Sequence, residues 1–310
     1  MSQKRQSEKL AALTPSRRRP LHHQLSTLIA TLALVTLGGL VCGVFSTVSA
    51  QDKKLKAEDL VAHHLEAIGS AEARAAAKTR VVSGSVKLVS RIGSVGNLDG
   101  QAMMVSAGTK LRYGMSFPAP NYPGEQMAFD GTRLSTGFLP NGVRSNLSLF
   151  LTQQEVPLKE SLIGGVLATG WPLLRIEQQQ PKLEYHGLKK VDGRPLHELA
   201  YRPRKGSADL KVLLYFDPET FRHVRTRYSF EIGARLGAGP NESGKQQESY
   251  YVLTEDFDDF RAVDGLTLPH KYKLQLSVQT ALSSLLNDWT LEVSRISHKE
   301  SFDDQVFTIK

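Results

Sequence analysis

Cysteine is almost absent from this sequence. The only one among 310 residues is Cys42, which lies within the first fifty. The remaining body, residues 51–310, therefore has no disulfide, no cysteine metal site and no thiol nucleophile. We find no internal repeat in the body. The overall proportions of hydrophobic residues (40%) and charged residues (23%) are those of an ordinary globular protein.

A strong positive charge is also missing from the body. The formal net charge is +8, but residues 1–50 contain six of the 39 Lys and Arg and one of the 31 acidic residues. Removing them leaves 33 basic and 30 acidic residues, a charge of only +3. A nearly neutral body is a poor electrostatic trap for phosphates, so we expect no nucleic-acid partner.

Residues 24–51 lack charged side chains altogether. A basic leader, the apolar stretch 28–45 and the small residues before Gln51 are the three parts of an export signal. We therefore predict a signal over residues 1–50, cleaved between Ala50 and Gln51, and a periplasmic body. The alternative is an uncleaved inner-membrane anchor, because an apolar run of about 20 residues can span a bilayer.

The motifs of common catalytic sites are missing. The sequence contains no Gly-x-Ser-x-Gly, His-Glu-x-x-His or Gly-x-Gly-x-x-Gly pattern, and no Gly-x-x-x-x-Gly-Lys followed by the Ser or Thr of a phosphate-binding loop. We therefore expect no enzyme, no catalytic residue, no cofactor and no metal site. The acidic run 255–259 lacks the glycine and the distal glutamate of a calcium loop, so we interpret it as a solvated strand end.

What is present is one helical segment followed by strands. Residues 57–79 place Val61, Leu65 and Ile68 on one stripe at helical spacing. Later segments alternate apolar and polar residues instead, beginning with residues 110–117, and this period of two is typical of half-buried strands. Asp-Gly pairs at 130, 192 and 264 predict tight hairpins between such runs. Counting the runs predicts ten to twelve strands in one antiparallel meander.

Two segments interrupt this pattern. Residues 145–176 carry fourteen large apolar side chains, divided by glycines and prolines into short helices, and we expect this lid to pack on the apolar face of the sheet. Residues 233–247 are rich in Gly, Asn, Ser and Lys and predict a flexible loop. The fold class is therefore β-rich α+β, a long curved antiparallel sheet with an N-terminal helix and a mid-chain helical lid.

Four stretches of the body resemble a known family. They are residues 185–193 (YHGLKKVDG), 214–222 (LYFDPETFR), 259–269 (DFRAVDGLTLP) and 302–307 (FDDQVF). With the helix, the sheet and the lid, they resemble the LolA/LolB-like superfamily of periplasmic lipoprotein carriers over roughly residues 55–310. The resemblance implies one carrier-type domain over 51–310, an open half-barrel of about eleven strands. It also implies an apolar cavity for lipoprotein acyl chains, and envelope membrane proteins that load or receive the cargo.

Two functional hypotheses follow. In the first, the protein carries lipoprotein acyl chains or another amphiphilic lipid between the sheet and the lid. The predicted lipid-binding residues are Leu149, Phe150, Leu162, Ile163, Leu167 and Trp171 in the lid, and Leu111, Tyr113, Met115, Val224, Tyr228 and Phe230 in the sheet. In the second, the core is filled and the protein is a non-catalytic envelope scaffold, possibly membrane-anchored, that contacts partners through Arg225, Arg227, Lys271 and Lys273.

Overall fold

Twelve strands form one antiparallel sheet in this computed structural model, which describes residues 55–92, 96–204, 209–233 and 248–309. The predicted signal and its cleavage site, and nearly all of the predicted loop 233–247, lie outside the described residues. The strands are β1 (Thr79–Ile92), β2 (Asn97–Ala107), β3 (Lys110–Ser116), β4 (Gly124–Phe129), β5 (Leu134–Thr136), β6 (Lys182–Val191), β7 (Arg194–Arg202), β8 (Lys211–Phe216), β9 (His223–Ile232), β10 (Ser249–Val263), β11 (Leu266–Thr280) and β12 (Ser284–His298).

Within the part of the chain that the structure describes, five short α-helices accompany the sheet. They are α1 (Ala57–Ile68), α2 (Ala71–Ala76), α3 (Asn146–Gln153), α4 (Val156–Lys159) and α5 (Ile176–Gln179), with 3-10 helices at Gly165–Leu167, Pro172–Arg175 and Asp304–Phe307. The predicted β-rich α+β class, with an N-terminal helix and a lid of short helices, is therefore confirmed.

The strand order corrects the prediction of a single meander. The order across the sheet is β5-β4-β3-β2-β1-β12-β11-β10-β9-β8-β7-β6. The chain thus runs outward from β1 to one edge, crosses through the lid to the other edge, and returns to the centre. There β12 pairs with β1, in a register that places Leu88 opposite Trp289.

The sheet is strongly curved. Tyr113 on β3 and Tyr272 on β11 are four strands apart, which in a flat sheet corresponds to about 19 Å. Their ring centroids are nevertheless only 6.0 Å apart. Curvature therefore gives the sheet an inner face that converges on itself and an outer face turned away from it.

The predicted N-terminal helix is interrupted at Gly69. This residue has φ 145°, and a Cβ atom there would lie 2.5 Å from the carbonyl oxygen of Gly265. Gly69 also forms an isolated bridge with Leu266 at the start of β11. The chain has to bend at this close approach, so α1 and α2 are separate helices and β1 begins at Thr79.

Local turn chemistry accounts for the hairpins. Asp192 and Gly193 between β6 and β7 both have positive φ, and so do Asp264 and Gly265 between β10 and β11. This combination is the type I′ geometry that matches the twist of antiparallel strands. The prediction of hairpins at the Asp-Gly pairs is confirmed, including the one between β4 and β5.

Candidate ligand-binding site

The lid, residues 145–176, packs on the inner face of the sheet. Leu162, Ile163, Leu167 and Trp171 are completely buried there and belong to the main core cluster. Phe150 on α3 is also buried and lies with its ring centroid 5.4 Å from that of Phe230 on β9. The expected packing of the lid against the apolar face is therefore present.

Ten of the twelve predicted lipid-binding side chains lie in this core. They are Phe150, Leu162, Ile163, Leu167, Trp171, Leu111, Tyr113, Met115, Tyr228 and Phe230. The other two lie elsewhere. Leu149 is 43% exposed, and Val224 packs against a separate cluster made of Leu196, Ala200, Leu213 and Tyr215.

A β-bulge explains the position of Val224. The pairing of β8 with β9 shifts register here, since Tyr215 is opposite Arg225 while Phe216 is opposite His223. Because the bulge adds one residue to β9, the side chains before and after it change faces. His223 is therefore buried on the inner face, in the position that uninterrupted alternation predicted for Val224. Assigning Val224 to the inner face was wrong.

Glu255 on β10 fastens the lid at its centre. One carboxylate oxygen accepts the backbone N–H of Gly164 at 2.7 Å and the hydroxyl of Tyr272 at 2.7 Å. The other accepts the hydroxyl of Tyr228 at 2.7 Å. Complete burial raises the pKa of Glu255 to about 7, although these three hydrogen bonds favour the ionised form. The interpretation of 255–259 as a solvated strand end is wrong for Glu255.

His64 on α1 holds the far end of the lid. Its Nδ1 donates to the carbonyl oxygen of Phe221 (3.0 Å), and its Nε2 accepts the indole N–H of Trp171 (3.0 Å). A ring with one donor and one acceptor nitrogen is neutral, and burial lowers the pKa of His64 to about 4. His223 stacks on Trp171 with ring centroids 4.6 Å apart, and burial holds its pKa well below the usual value.

Further polar contacts reach the same part of the lid from β1 and β2. The buried guanidinium of Arg80 donates to the carbonyl oxygen of Val166. The backbone N–H of Thr169 donates to the hydroxyl of Ser106 at 3.1 Å. We call residues 160–171 the fastened segment of the lid, because polar partners on the sheet and on α1 hold it at several points.

The beginning of the lid is different, because it borders a cleft of about 610 Å³. The cleft lies between the start of α3 and the inner face, and its walls include Leu98 on β2, Tyr122, Glu125 on β4, Leu147 on α3, and Asn287 and Trp289 on β12. Several of these side chains belong to the main core or pack against it, so the cleft opens onto the apolar interior. Its size is within the usual range of small-molecule sites.

None of the twelve predicted lipid-binding residues lines this cleft. The sequence nevertheless carried a usable signal for its polar walls. Glu125 lies on β4 two residues before Met127, in the alternating set of positions that is otherwise apolar and that we call the apolar phase of the strand. Asn287 lies in the apolar phase of β12, together with Trp289 and Leu291. Glu255 likewise alternates in phase with Leu253 and Phe257. A polar residue in an apolar phase predicts a buried polar group.

The described residues thus form a curved sheet covered by a lid, with a cleft at the start of that lid. Within the described ranges, no three His, Cys, Asp or Glu residues are arranged to hold a metal ion. In the same part of the chain, no helix is both long and apolar enough to cross a membrane.

Comparison with known proteins yields similar structures only. No protein-family model and no curated protein matches the sequence. A LolA superfamily protein from Nitrosomonas europaea is 15% identical, with a TM-score of 0.43 over 82% of this chain and 98% of its own. A DUF1329 family protein from Desulfovibrio piger is 11% identical, with a TM-score of 0.44 over 81% of this chain and 96% of its own.

A third similar structure is a Vibrio parahaemolyticus domain named for outer membrane lipoprotein sorting. It is 12% identical, with a TM-score of 0.41 over 80% of this chain and 97% of its own. All three structures are similar to this chain at low identity, and none of them assigns it a ligand.

Proposed function

We propose that this protein is a lipid carrier that binds lipoprotein acyl chains, or the hydrocarbon chain of another amphiphile, between α3 and the inner face of the sheet. The observation that carries the proposal is the cleft of about 610 Å³ at the start of the lid. It is bounded by Leu147 on α3 and Trp289 on β12, and it opens onto the apolar core. A chain that enters there can extend beneath α3 by displacing it.

Burial supplies the driving force for such a ligand. Each methylene removed from water contributes about 0.8 kcal/mol. A sixteen-carbon chain therefore yields on the order of 10 kcal/mol, from which the free energy of displacing α3 is subtracted. The polar contacts of the fastened segment hold the rest of the lid in place, so displacement of α3 alone disturbs fewer interactions than opening the whole lid.

The scaffold hypothesis finds less support in the side chains that it names. Arg225 is paired with Asp192 and Asp256 on the outer face. Lys271 pairs with Glu292, and Lys273 pairs with Asp288. These acidic partners neutralise much of the basic strand face on which a partner protein would depend.

Disulfide locking of α3 tests the carrier proposal. Thr152 on α3 and Thr136 on β5 have their hydroxyl oxygens 3.4 Å apart, so cysteines at these positions are placed to bond. In a Cys42→Ser background, the oxidised Thr136→Cys/Thr152→Cys protein should take up a hexadecyl probe with a neutral fluorophore at least about tenfold more slowly than the reduced protein. Addition of a thiol should restore the rate.

The matched control locks the fastened segment instead. The backbone N–H of Thr169 donates to the hydroxyl of Ser106 at 3.1 Å, so these two residues adjoin, and Ser106→Cys/Thr169→Cys is the pair for this segment once mass spectrometry has verified its disulfide. Oxidation of this second pair should leave probe uptake unchanged. Failure of the reduced proteins to bind the probe would contradict the carrier proposal, and equal uptake with α3 locked would contradict opening at α3.

We also propose that the body is exported and released by cleavage after Ala50. The proposal depends on the basic leader, the uncharged stretch 24–51 and the small residues at its end. Mass spectrometry of the protein recovered from a periplasmic extract should give a chain that begins at Gln51. A membrane-bound chain that retains residues 1–50 would support the anchor instead.

A further inference from the structure

Glu125 is a buried carboxylate in the wall of the cleft. It is 2% exposed and accepts hydroxyl hydrogen bonds from Tyr122 at 2.5 Å, Ser145 at 2.6 Å and Ser148 at 3.3 Å. Burial raises the pKa of Glu125 to about 6, so the group still carries a negative charge at neutral pH. Among the described residues it forms no ion pair, and its hydrogen-bond donors are all uncharged.

Asn287 provides an independent observation in the same cleft. Its side chain is 6% exposed, and its Oδ1 atom has no hydrogen-bond partner among the described residues. Buried polar atoms in folded proteins nearly always have a partner, so an unpaired acceptor in the wall of a cleft is complementary to a donor brought by a ligand. The cleft therefore contains an ionised carboxylate without a cation and a carbonyl oxygen without a donor.

Capping of α3 does not account for Glu125. The N-cap residue of this helix is Ser145, whose own hydroxyl accepts the backbone N–H of Ser148 at 3.0 Å. Glu125 accepts hydroxyl groups rather than backbone N–H groups of the helix. Capping of the helix therefore does not require the negative charge of Glu125, although the helix dipole favours a negative charge there.

We propose that the polar wall of the cleft binds a primary ammonium group attached to the hydrocarbon chain, an inference that rests on the proposed lipid-carrier function. An ammonium group has three donors and no acceptor, which suits a carboxylate and an unpaired amide oxygen. A free phosphate or carboxylate at the same place would be repelled by the negative charge of Glu125. The ligand class is therefore a cationic or ammonium-bearing amphiphile.

Matched probes test this assignment in the purified protein. Decylamine and decanol have the same chain, and the amine stays protonated at pH 7.5 because alkylammonium groups have a pKa of about 10. Displacement of the neutral hexadecyl probe should show decylamine binding about tenfold more tightly than decanol, the size expected of a hydrogen bond to a charged group.

Two cleft variants and one control locate the preference. Glu125→Gln should abolish the preference for the amine, so that decylamine and decanol displace the probe equally well. Asn287→Ala should reduce the preference several-fold, and it removes an unpaired group, so the protein should remain folded even if Glu125→Gln unfolds. Glu292→Gln removes a charge of the same sign from the exposed face of β12 and should leave the preference intact.

The outcomes separate the two proposals. Equal binding of decylamine and decanol would overturn the ammonium site while leaving the lipid-carrier proposal standing. Binding of neither compound, nor of the hexadecyl probe, would contradict lipid binding itself. An amine preference that persists in both cleft variants would overturn the assignment to Glu125 and Asn287.

Where the amine preference depends on these two residues, a further comparison identifies the source of the ammonium group. Tighter binding of lysophosphatidylethanolamine than of lysophosphatidylglycerol would indicate a phospholipid head group rather than a simple alkylamine.

Discussion

The two ends of the lid are built differently. The fastened segment, residues 160–171, is held by Glu255, His64 and other polar partners, and its apolar side chains are buried. The start of the lid, α3, stands beside a cleft of about 610 Å³ in which Asn287 keeps an unpaired acceptor. Hydrogen bonds at several points favour an anchor, whereas the free space beside α3 favours a binding end. Under the proposed carrier function, we expect α3 to be the half of the lid that moves and the fastened segment to be the half that stays in place.

The largest expected effect is on the anchor. Trp171→Ala removes a completely buried indole and its hydrogen bond to His64, so unfolding in urea should show a loss of about 3–5 kcal/mol. Leu149→Ala, in the same lid but 43% exposed, should change the free energy of unfolding by less than about 0.5 kcal/mol. Similar losses for both variants would show that the two ends of the lid do not differ in this way.

The charge of Glu255 should make the anchor less stable at neutral pH than at acidic pH. Its folded pKa of about 7 is above the ordinary value of 4.5, so the folded protein binds more protons between these values and its stability falls as pH rises from 4.5 to 7. Glu255→Gln should remove this decrease in the free energy of unfolding, which is about 3 kcal/mol, in urea titrations at pH 5 and pH 8. Unchanged pH dependence in the variant would mean that the carboxylate is not protonated in the folded state.

His64 should act in the opposite direction. Its folded pKa of about 4 is below the ordinary 6.5, so the unfolded chain binds more protons between these values and stability falls as pH drops from 6.5 to 4. His64→Gln retains a donor and an acceptor and should reduce this acid destabilisation by up to about 3 kcal/mol, measured by thermal unfolding at pH 6.5 and 4.5. His223 remains in the variant and should leave a residual dependence of the same sign.

The smallest expected effect is a difference between two leucines. Leu167 in the fastened segment and Leu147 on α3 are both buried, but only Leu147 borders the cleft. Leu167→Ala should leave an enclosed cavity and lower the free energy of unfolding by an amount near the upper end of the usual range of about 2–5 kcal/mol. The space left by Leu147→Ala joins the cleft, so the loss of unfolding free energy should be near the lower end of that range. Equal losses would indicate that the cleft is closed to solvent near Leu147.

Much of the local structure could be predicted because its causes are local. The alternation of Leu111, Tyr113 and Met115 predicted β3 and its buried face, and the Asp-Gly pairs predicted three hairpins. The exceptions also have identifiable causes. The bulge at Val224 exchanged the faces of two neighbours, and the close approach of Gly69 to Gly265 divided the first helix. Both depend on a second segment of chain that sequence periodicity does not represent.

The candidate site was less predictable than the fold. Apolar patterning located the core residues of the lid and the sheet, including Trp171 and Tyr113, but it could not distinguish filled space from a cleft. Glu125 and Asn287 were not predicted as site residues, although each shares the apolar phase of its strand. Their significance depends on which side chains surround them, which is a property of packing.

The sequence by itself determined the elements of this protein: strands from a period of two, hairpins from Asp-Gly pairs, and a lid from an apolar segment divided by glycine and proline. Only the tertiary structure decided that β12 pairs with β1, joining residues as distant as Arg80 and His298, and that the lid crosses from one edge of the sheet to the other. Only the tertiary structure also decided where the inner face is filled and where space remains. The reason is that backbone propensity and turn chemistry act between near neighbours in the chain, whereas pairing order, burial of charge and the volume of a cleft depend on side chains brought together from distant parts of the sequence.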